Sequence, residues 1–544
     1  MPEAYWCKRM ESMRKLIKNG VIYDGSGRKP YTANIVIEDN RISAITCSGD
    51  LDADVIIDAK MRAVTPGFID SHRHCDISAI VDRDFGNIEL AQGITTTISG
   101  NCGLTPFPTT ESSRQQMYDF IEPCLGKAPE WMKFSGFPDY IAKLEATAPY
   151  INVGGMIGTG AVKVAAKGFE KTPFTRSQMD SAKGYLREAM EAGAFGISAG
   201  IMYVPECYST TEEFIELISQ AARYNTILTC HIRGEGDSLV SSVEEILNIS
   251  RQAEIPLNIS HFKAVGITNW HKTALKAIEK IENARALGQD VSVDFYPYTG
   301  GSTTLMTLIP PAMQGTDLNE TLLMLSTTEG VKLLKKEIYR QHQGWDNMVL
   351  SIGWERIIIS SVAKESNKRY QGMKVSDITE LLGYSDAVDF ICELIVDEQA
   401  KVGIIAMSMD QDDVDIIAQL PYSMVISDSL YGSLDSPHPR LYGSFTRIIR
   451  DYVMERKILS LETAINKMTH MTAERFKISN RGALAVGNYA DINIFDPAKM
   501  VDKATFSNPN QLSSGMDMVL INGEIIWKDN ERTGISNARV LKRR

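Results

Sequence analysis

The sequence predicts an α/β protein: a (β/α)8 TIM barrel with an inserted subdomain, plus a small β-sandwich built from both chain ends. Three observations predict it. Eight β-branched runs, each ending in glycine, polar or ionisable residues, alternate with helix-like stretches, the pattern of a closed parallel barrel. Two further β-rich stretches flank that series at opposite ends of the chain. The length of 544 residues accommodates a barrel of roughly 250 to 400 residues and a smaller module.

The eight runs are 63–74 (AVTPGFIDSHRH), 94–103 (ITTTISGNCG), 151–160 (INVGGMIGTG), 195–203 (FGISAGIMY), 226–233 (TILTCHIR), 255–263 (IPLNISHFK), 290–300 (DVSVDFYPYTG) and 424–430 (MVISDSL). Helical stretches such as 177–192 (SQMDSAKGYLREAMEA) and 237–253 lie between them. The interval 302–422 is too long for one crossover and is expected to hold the insertion, roughly 303–382. Segments within 16–58 and 482–527 read as short alternating strands joined by Gly and Asn/Asp turns. The expected division is therefore a sandwich from 13–64 with 482–544, and a catalytic barrel over 65–481. The first dozen residues fit neither module, and a native start at Met13 is compatible with them.

A hydrophobic fraction of 44% and a charged fraction of 23% imply a large buried core. The net charge of −11 argues against nucleic acid as a partner, and the basic tail Lys542-Arg543-Arg544 reads as a solvated terminus. No stretch approaches the ~18 apolar residues of a membrane span, and residues 1–13 are too polar for a signal peptide, so the default expectation is cytoplasmic with no membrane partner. The cysteines at 7, 47, 75, 102, 124, 207, 230 and 392 form no C-x-x-C pair, which disfavours a disulfide framework or zinc ribbon.

In a barrel enzyme the C-terminal strand ends face the active site. Strand one ends in Asp70-Ser71-His72-Arg73-His74, where a period of two puts His72 and His74 on one side. Strand two ends in Asn101-Cys102-Gly103, strand five in His231, strand six in His261 and strand eight in Asp428. Zn²⁺ takes neutral imidazole, thiolate and carboxylate, so these ends supply a ligand set. Each histidine taken alone reads more readily as a hydrogen-bonded core residue. Four of the chain's eight histidines at strand ends is a pattern that scattered core histidines do not produce. A buried cysteine is usually an inert hydrophobe, but Cys102 stands between Asn101 and Gly103, where the backbone can turn toward a ligand, and a neighbouring cation would deprotonate it.

The run PGFIDSHRH (66–74) resembles the opening signature of the amidohydrolase superfamily. GNCG (100–103), HIRGEG (231–236), SHFKA (260–264), YPYTGGST (296–303), SD (427–428) and HPRLYG (438–443) resemble the N-acyl-D-amino-acid deacylase (D-aminoacylase) branch, over about 16–532. The resemblance implies that Cys102, His231 and His261 form a tight zinc site, Cys102 replacing the carboxylated lysine of many relatives. It implies that His72 and His74, with Asp428, form a second, weaker site. It further implies that Lys263, Tyr296 and Arg440 grip the carboxylate of an N-acyl amino acid, with Ser302 nearby. A planar Arg fork suits that grip, although an Arg at this position alone would read as a surface ion pair. Three departures stand out: Gly158-Thr159-Gly160 lacks the family's histidine, Cys75 replaces a common acidic residue, and Ser429 replaces a glycine.

The implied chemistry is zinc-assisted hydrolysis, with Asp428 taking a proton from water and passing it to the departing amine. Tyr203 is a candidate donor to the acyl group or oxyanion, with ordinary packing as the alternative. Competing readings are a cyclic-amide hydrolase of the hydantoinase or dihydroorotase type, which usually has a lysine where Cys102 stands, and a non-catalytic scaffold, which would have lost ligands.

Overall fold

Eight short parallel strands follow one another around a barrel in the computed structural model, which describes residues 13–48, 51–315, 317–342, 344–432 and 435–543. They are Phe68–Asp70, Ile94–Ser99, Asn152–Gly155 with Ile157–Gly158, Gly196–Gly200, Ile227–His231, Leu257–Ile259, Val291–Phe295 and Ser423–Val425. Consecutive strands pair in parallel register, as in Ala199 opposite Cys230 and Cys230 opposite Ile259. The last strand passes its chain beside the first: Asp428 N donates to His72 O at 2.9 Å and His74 N to Ser429 O at 2.9 Å. Every residue of the strands from Ile94–Ser99 to Ser423–Val425 is buried. Buried on both faces, such strands carry β-branched and small residues without polar alternation.

Helices cover the outside where the sequence places start signals. Thr175 caps Arg176–Glu191 by accepting from Gln178 N, and Gln178 reaches back to Thr175 N at 2.9 Å, a capping box. Among the described residues no helix is long and apolar enough to cross a membrane.

The expected first run, 63–74, is divided at Gly67. Ala63–Pro66 leaves the barrel and inserts between Arg14–Ile22 and Ile492–Phe495 in a nine-stranded sheet drawn from both chain ends. A Cβ on Gly67 would come within 2.2 Å of Thr95 Oγ1, so only glycine lets the chain pass this close to strand two. The flanking module is thus one continuous hydrogen-bonded sheet, with a small apolar core around Ile17, Ile35, Val64 and Ile492.

The insertion outgrows its expected bounds. A three-stranded sheet of Gly301–Thr304, Gly403–Ala406 and Ile357–Ser361 and its helices enclose a separate apolar cluster running from Leu305 to Ala406, well past residue 382. Its last strand pairs antiparallel with its first, Ser302 opposite Ile405, so the subdomain closes only when residues 403–406 return.

The C-terminal tail is solvated only in part: Lys542 is exposed, but its neighbours are held. Leu541 N donates to Val153 O at 2.8 Å, Lys542 pairs with Glu145 at 2.7 Å, and the Arg543 guanidinium meets the Ala194 carbonyl at 3.1 Å and the Met190 carbonyl at 3.2 Å. Those carbonyls lie at and just beyond the C-terminal end of Arg176–Glu191, where the helix dipole favours a cation. Arg544 and the first dozen residues lie outside the described residues.

Candidate metal centre and active site

The barrel's C-terminal strand ends bring the six candidate ligands into one buried cluster. Cys102 Sγ lies 3.2 Å from His72 Nε2 and 3.5 Å from His261 Nε2. Asp428 Oδ1 lies 3.3 Å from His72 Nε2 and 3.5 Å from His74 Nε2. Cys102, His231 and His261 form one group whose donor atoms all fall within 4.8 Å of one another; His72, His74 and Cys102 form a second, and His72, His261 and Asp428 a third. Soft sulfur, imidazole nitrogen and one carboxylate converging in this way suit Zn²⁺.

The backbone is held in unfavourable conformations to aim these groups. Cys102, His261 and Asp428 have φ of 54°, 36° and 50°, the left-handed region that side chains other than Asn, Asp and His rarely adopt, so the strain falls chiefly on Cys102. Such residues cluster where surrounding structure over-determines them for a purpose. Around Cys102 that structure is tight: a Cβ on Gly200 would sit 2.1 Å from the Cys102 carbonyl oxygen, and one on Gly103 would sit 2.0 Å from Glu206 Oε2.

Burial governs the protonation of this cluster. It pushes the Cys102 thiol well above its ordinary range and holds His74, His231 and His261 below theirs, leaving those imidazoles neutral, as metal ligation requires. Burial opposes the charged form of His72 too, but the Asp428 carboxylate beside it raises it overall. Burial alone would raise Asp428; the Arg440 guanidinium and the neighbouring histidines hold it well below the carboxylate range instead. A bound cation reverses the sign for the thiol, because a coordinating sulfur is deprotonated outright.

Except for His72, which is wholly buried behind it, every site residue picked from the sequence lines one cavity of about 600 Å³, counting its open mouth. Arg440 is 1% exposed, not a surface residue, and its Nη1 sits 2.8 Å from Asp428 Oδ2. His438 positions it: His438 Nδ1 accepts from Arg440 N at 3.0 Å while Nε2 donates to Gly300 O at 2.8 Å. The Arg440 guanidinium lies 4.6 Å from the centre of the Tyr296 ring, and Lys263 Nζ lies 5.9 Å from it. Two donors on these residues, Tyr296 OH and Arg440 Nε, are buried without a hydrogen-bond partner among the described residues. An unsatisfied buried donor costs about 1–3 kcal/mol, which a bound carboxylate would recover. Ser302 and Thr303 bring the root of the insertion to the same wall, and Arg440 Nη2 reaches the Ser302 carbonyl at 3.5 Å. Tyr203 OH stands 3.5 Å from His231 Nδ1.

Two acidic residues escaped the sequence reading. Glu235 Oε1 lies 2.6 Å from Lys263 Nζ and 3.1 Å from His261 Nδ1, and Lys263 Nζ lies 2.7 Å from that same nitrogen, so the Glu235–Lys263 pair borders a candidate ligand on the side remote from Cys102. It belongs to HIRGEG, four residues after His231, which was its signal. Asp294, on strand seven, accepts from His261 N and lies 3.9 Å from His72 Nδ1; burial raises its pKa to about 6. A lone carboxylate in VSVDF was that signal. At the departures, Thr159 Oγ1 lies within hydrogen-bond distance of Ser198 O and Glu206 Oε1, and Cys75 is an apolar-core residue.

Comparison with known proteins agrees with this geometry. The amidohydrolase family model matches residues 55–325 and 425–527, leaving out most of the insertion. The D-aminoacylase of Alcaligenes xylosoxydans xylosoxydans is 32% identical over 528 residues, covering 97% of each chain. The N-acyl-D-glutamate deacylase of the same organism is 33% identical over 517 residues, covering 94% of this chain and 93% of its own. Among solved structures, the N-acyl-D-glutamate deacylase of Bordetella bronchiseptica, complexed with zinc and a phosphonate mimic of the tetrahedral intermediate, superposes with a TM-score of 0.82 at 30% identity, over 98% of this chain and 100% of that one. The chain belongs to the amidohydrolase family, in the branch that contains the D-aminoacylases and N-acyl-D-amino-acid deacylases.

Proposed function

We propose that this chain is a zinc-dependent hydrolase that cleaves the amide bond of N-acyl-D-amino acids, releasing a D-amino acid and a carboxylate. The observation that carries it is the placement of a thiolate–imidazole ligand group beside two unsatisfied buried donors, Tyr296 OH and Arg440 Nε, on residues of one cavity. Cys102, His231 and His261 would hold the tightly bound zinc, and His72, His74 and Asp428 a weaker second ion. Zinc held there supplies Lewis acidity, acidifying water and polarising the scissile carbonyl.

The protein's own groups do the rest. Arg440, Lys263 and Tyr296 fix the substrate carboxylate, with Ser302 at the same wall, and so hold the amide at the ligand cluster. Asp428 takes the proton from the attacking water and returns it to the amide nitrogen, which leaves only when protonated. Tyr203 donates to the acyl oxygen from the opposite wall. The net charge of −11 and the unpaired cysteines favour a cytoplasmic enzyme of small molecules over a nucleic-acid-binding protein. Amine release from N-acetyl-D- and N-acetyl-L-amino acids tests the proposal: turnover confined to the D series is expected, and equal turnover of both, or none of either, contradicts it.

A further inference from the structure

A second, larger space adjoins the catalytic cavity across one shared wall. Leu104, Cys124 and Tyr203 line both, and the second encloses about 1340 Å³, counting its open side. Its surface is mainly apolar, with Phe120, Phe169, Val204, Met306 and Leu318 among its walls. Phe120 and Phe169 meet edge to face with centroids 5.4 Å apart. Among the described residues one basic group lines it, and it is neutralised: Lys401 pairs with Glu122 at 2.8 Å and Asp119 at 3.6 Å. Apart from Tyr203, which borders both spaces, none of these walls takes part in the hydrolysis described above.

The position of this space relative to the carboxylate grip decides what it is for. Lys263, Tyr296 and Arg440 follow strands six, seven and eight. Leu104 and Tyr203 follow strands two and four, on the other half of the barrel, while Thr304 and Met306 of the insertion root close the second cavity on its remaining side. In an N-acyl amino acid the scissile amide separates the carboxylate-bearing carbon from the acyl group. With the carboxylate on Arg440 and the amide at the ligands, the acyl group must point toward Leu104, Cys124 and Tyr203. The side chain of the amino acid has its own direction, toward Met348, Ala406 and Ser408 of the insertion side.

We propose that the second cavity receives the acyl chain, and that this enzyme prefers substrates with medium-length or long aliphatic acyl groups over N-acetyl compounds. The inference rests on the hydrolase reading of the first cavity. Each methylene moved from water onto an apolar wall is worth about a fourfold gain in binding, so length translates into preference.

Steady-state hydrolysis of N-acetyl, N-hexanoyl and N-decanoyl derivatives of D-methionine and D-glutamate by the zinc-loaded enzyme tests it. The expected result is a kcat/KM that rises with acyl length, reaching at least tenfold above acetyl for decanoyl. Turnover of the acetyl derivatives with no gain for the longer ones overturns this inference alone; turnover of none overturns the hydrolase reading itself. In Leu318→Trp, which narrows the second cavity, acetyl turnover should be unchanged and the decanoyl advantage should vanish. Gln116→Trp, on the exposed rim, should reduce that advantage in a helix position that tolerates the larger side chain. An undiminished decanoyl advantage in both variants would place the chain elsewhere and contradict the proposal.

Discussion

Arg440 Nη1 lies 2.8 Å from Asp428 Oδ2, and both side chains are buried at the edge of one cavity. One guanidinium thus faces the proposed general base and the proposed substrate carboxylate together. Arg440→Lys keeps the charge beside Asp428 but loses the planar fork. The expected outcome is a KM for N-acetyl-D-amino acids raised about tenfold or more, with kcat changed much less, as for a contact made equally in ground and transition states. Steady-state kinetics check this; an unchanged KM would remove Arg440 from the grip.

Asp428→Asn separates ligation from proton transfer. The Cys102, His231 and His261 group does not include Asp428, so one tightly bound zinc per chain should remain, whatever becomes of the weaker second ion. Turnover should fall by roughly 10²- to 10⁴-fold, the usual contribution of a positioned proton carrier. Parallel metal analysis and rate measurement distinguish this from simple loss of the ion.

Arg73 is a structural counterpart to Arg440. It is 0% exposed, points away from the histidines on either side of it, and meets Asp70 at 3.1 Å and Glu89 at 2.8 Å, with Tyr431 OH 2.7 Å from its Nε. Removing one member of a buried ion network strands the others, at about 3–5 kcal/mol. Arg73→Met should therefore lower the denaturant midpoint sharply, and a midpoint within error of wild type would contradict the account of this network.

Glu206 gives a pH dependence. Burial raises its carboxyl from the ordinary 4.5 to about 7, with the Thr159 hydroxyl and Gly200 N–H offsetting part of the effect. Between those values the folded state binds more protons than the unfolded chain, so stability falls as pH rises from 4.5 through 7. Glu206→Gln should remove that loss, a gain on the order of 3 kcal/mol at pH 8. Chemical denaturation of both proteins at pH 5 and pH 8 checks the sign; a wild type whose Glu206-dependent stability grows with pH would reverse it.

The strand ends were legible because each combines a β-branched run with an abrupt turn to ionisable residues, and because a period of two puts His72 and His74 together. What was hidden depends on contacts distant in sequence. Ala63–Pro66 looks continuous with Phe68–Asp70, and only the close pass of Gly67 against Thr95 divides them. The insertion's end cannot be read locally, since residues 403–406 belong to it only through pairing with residues 301–304. Arg440 and Arg543 looked like surface charges because nothing local to them names Asp428 or the Ala194 carbonyl as partners. Glu235 and Asp294 were visible as carboxylates, but their places beside His261 exist only in the folded barrel.

The central claim is that Cys102 holds the metal that performs the hydrolysis. Metal analysis of the purified wild type and of Cys102→Ala, with N-acetyl-D-amino-acid turnover measured on the same samples, tests it most directly. The wild type should carry at least one zinc per chain, and Cys102→Ala should lose both that zinc and its turnover. A Cys102→Ala protein that keeps its zinc and hydrolyses the substrate at the wild-type rate would contradict the account.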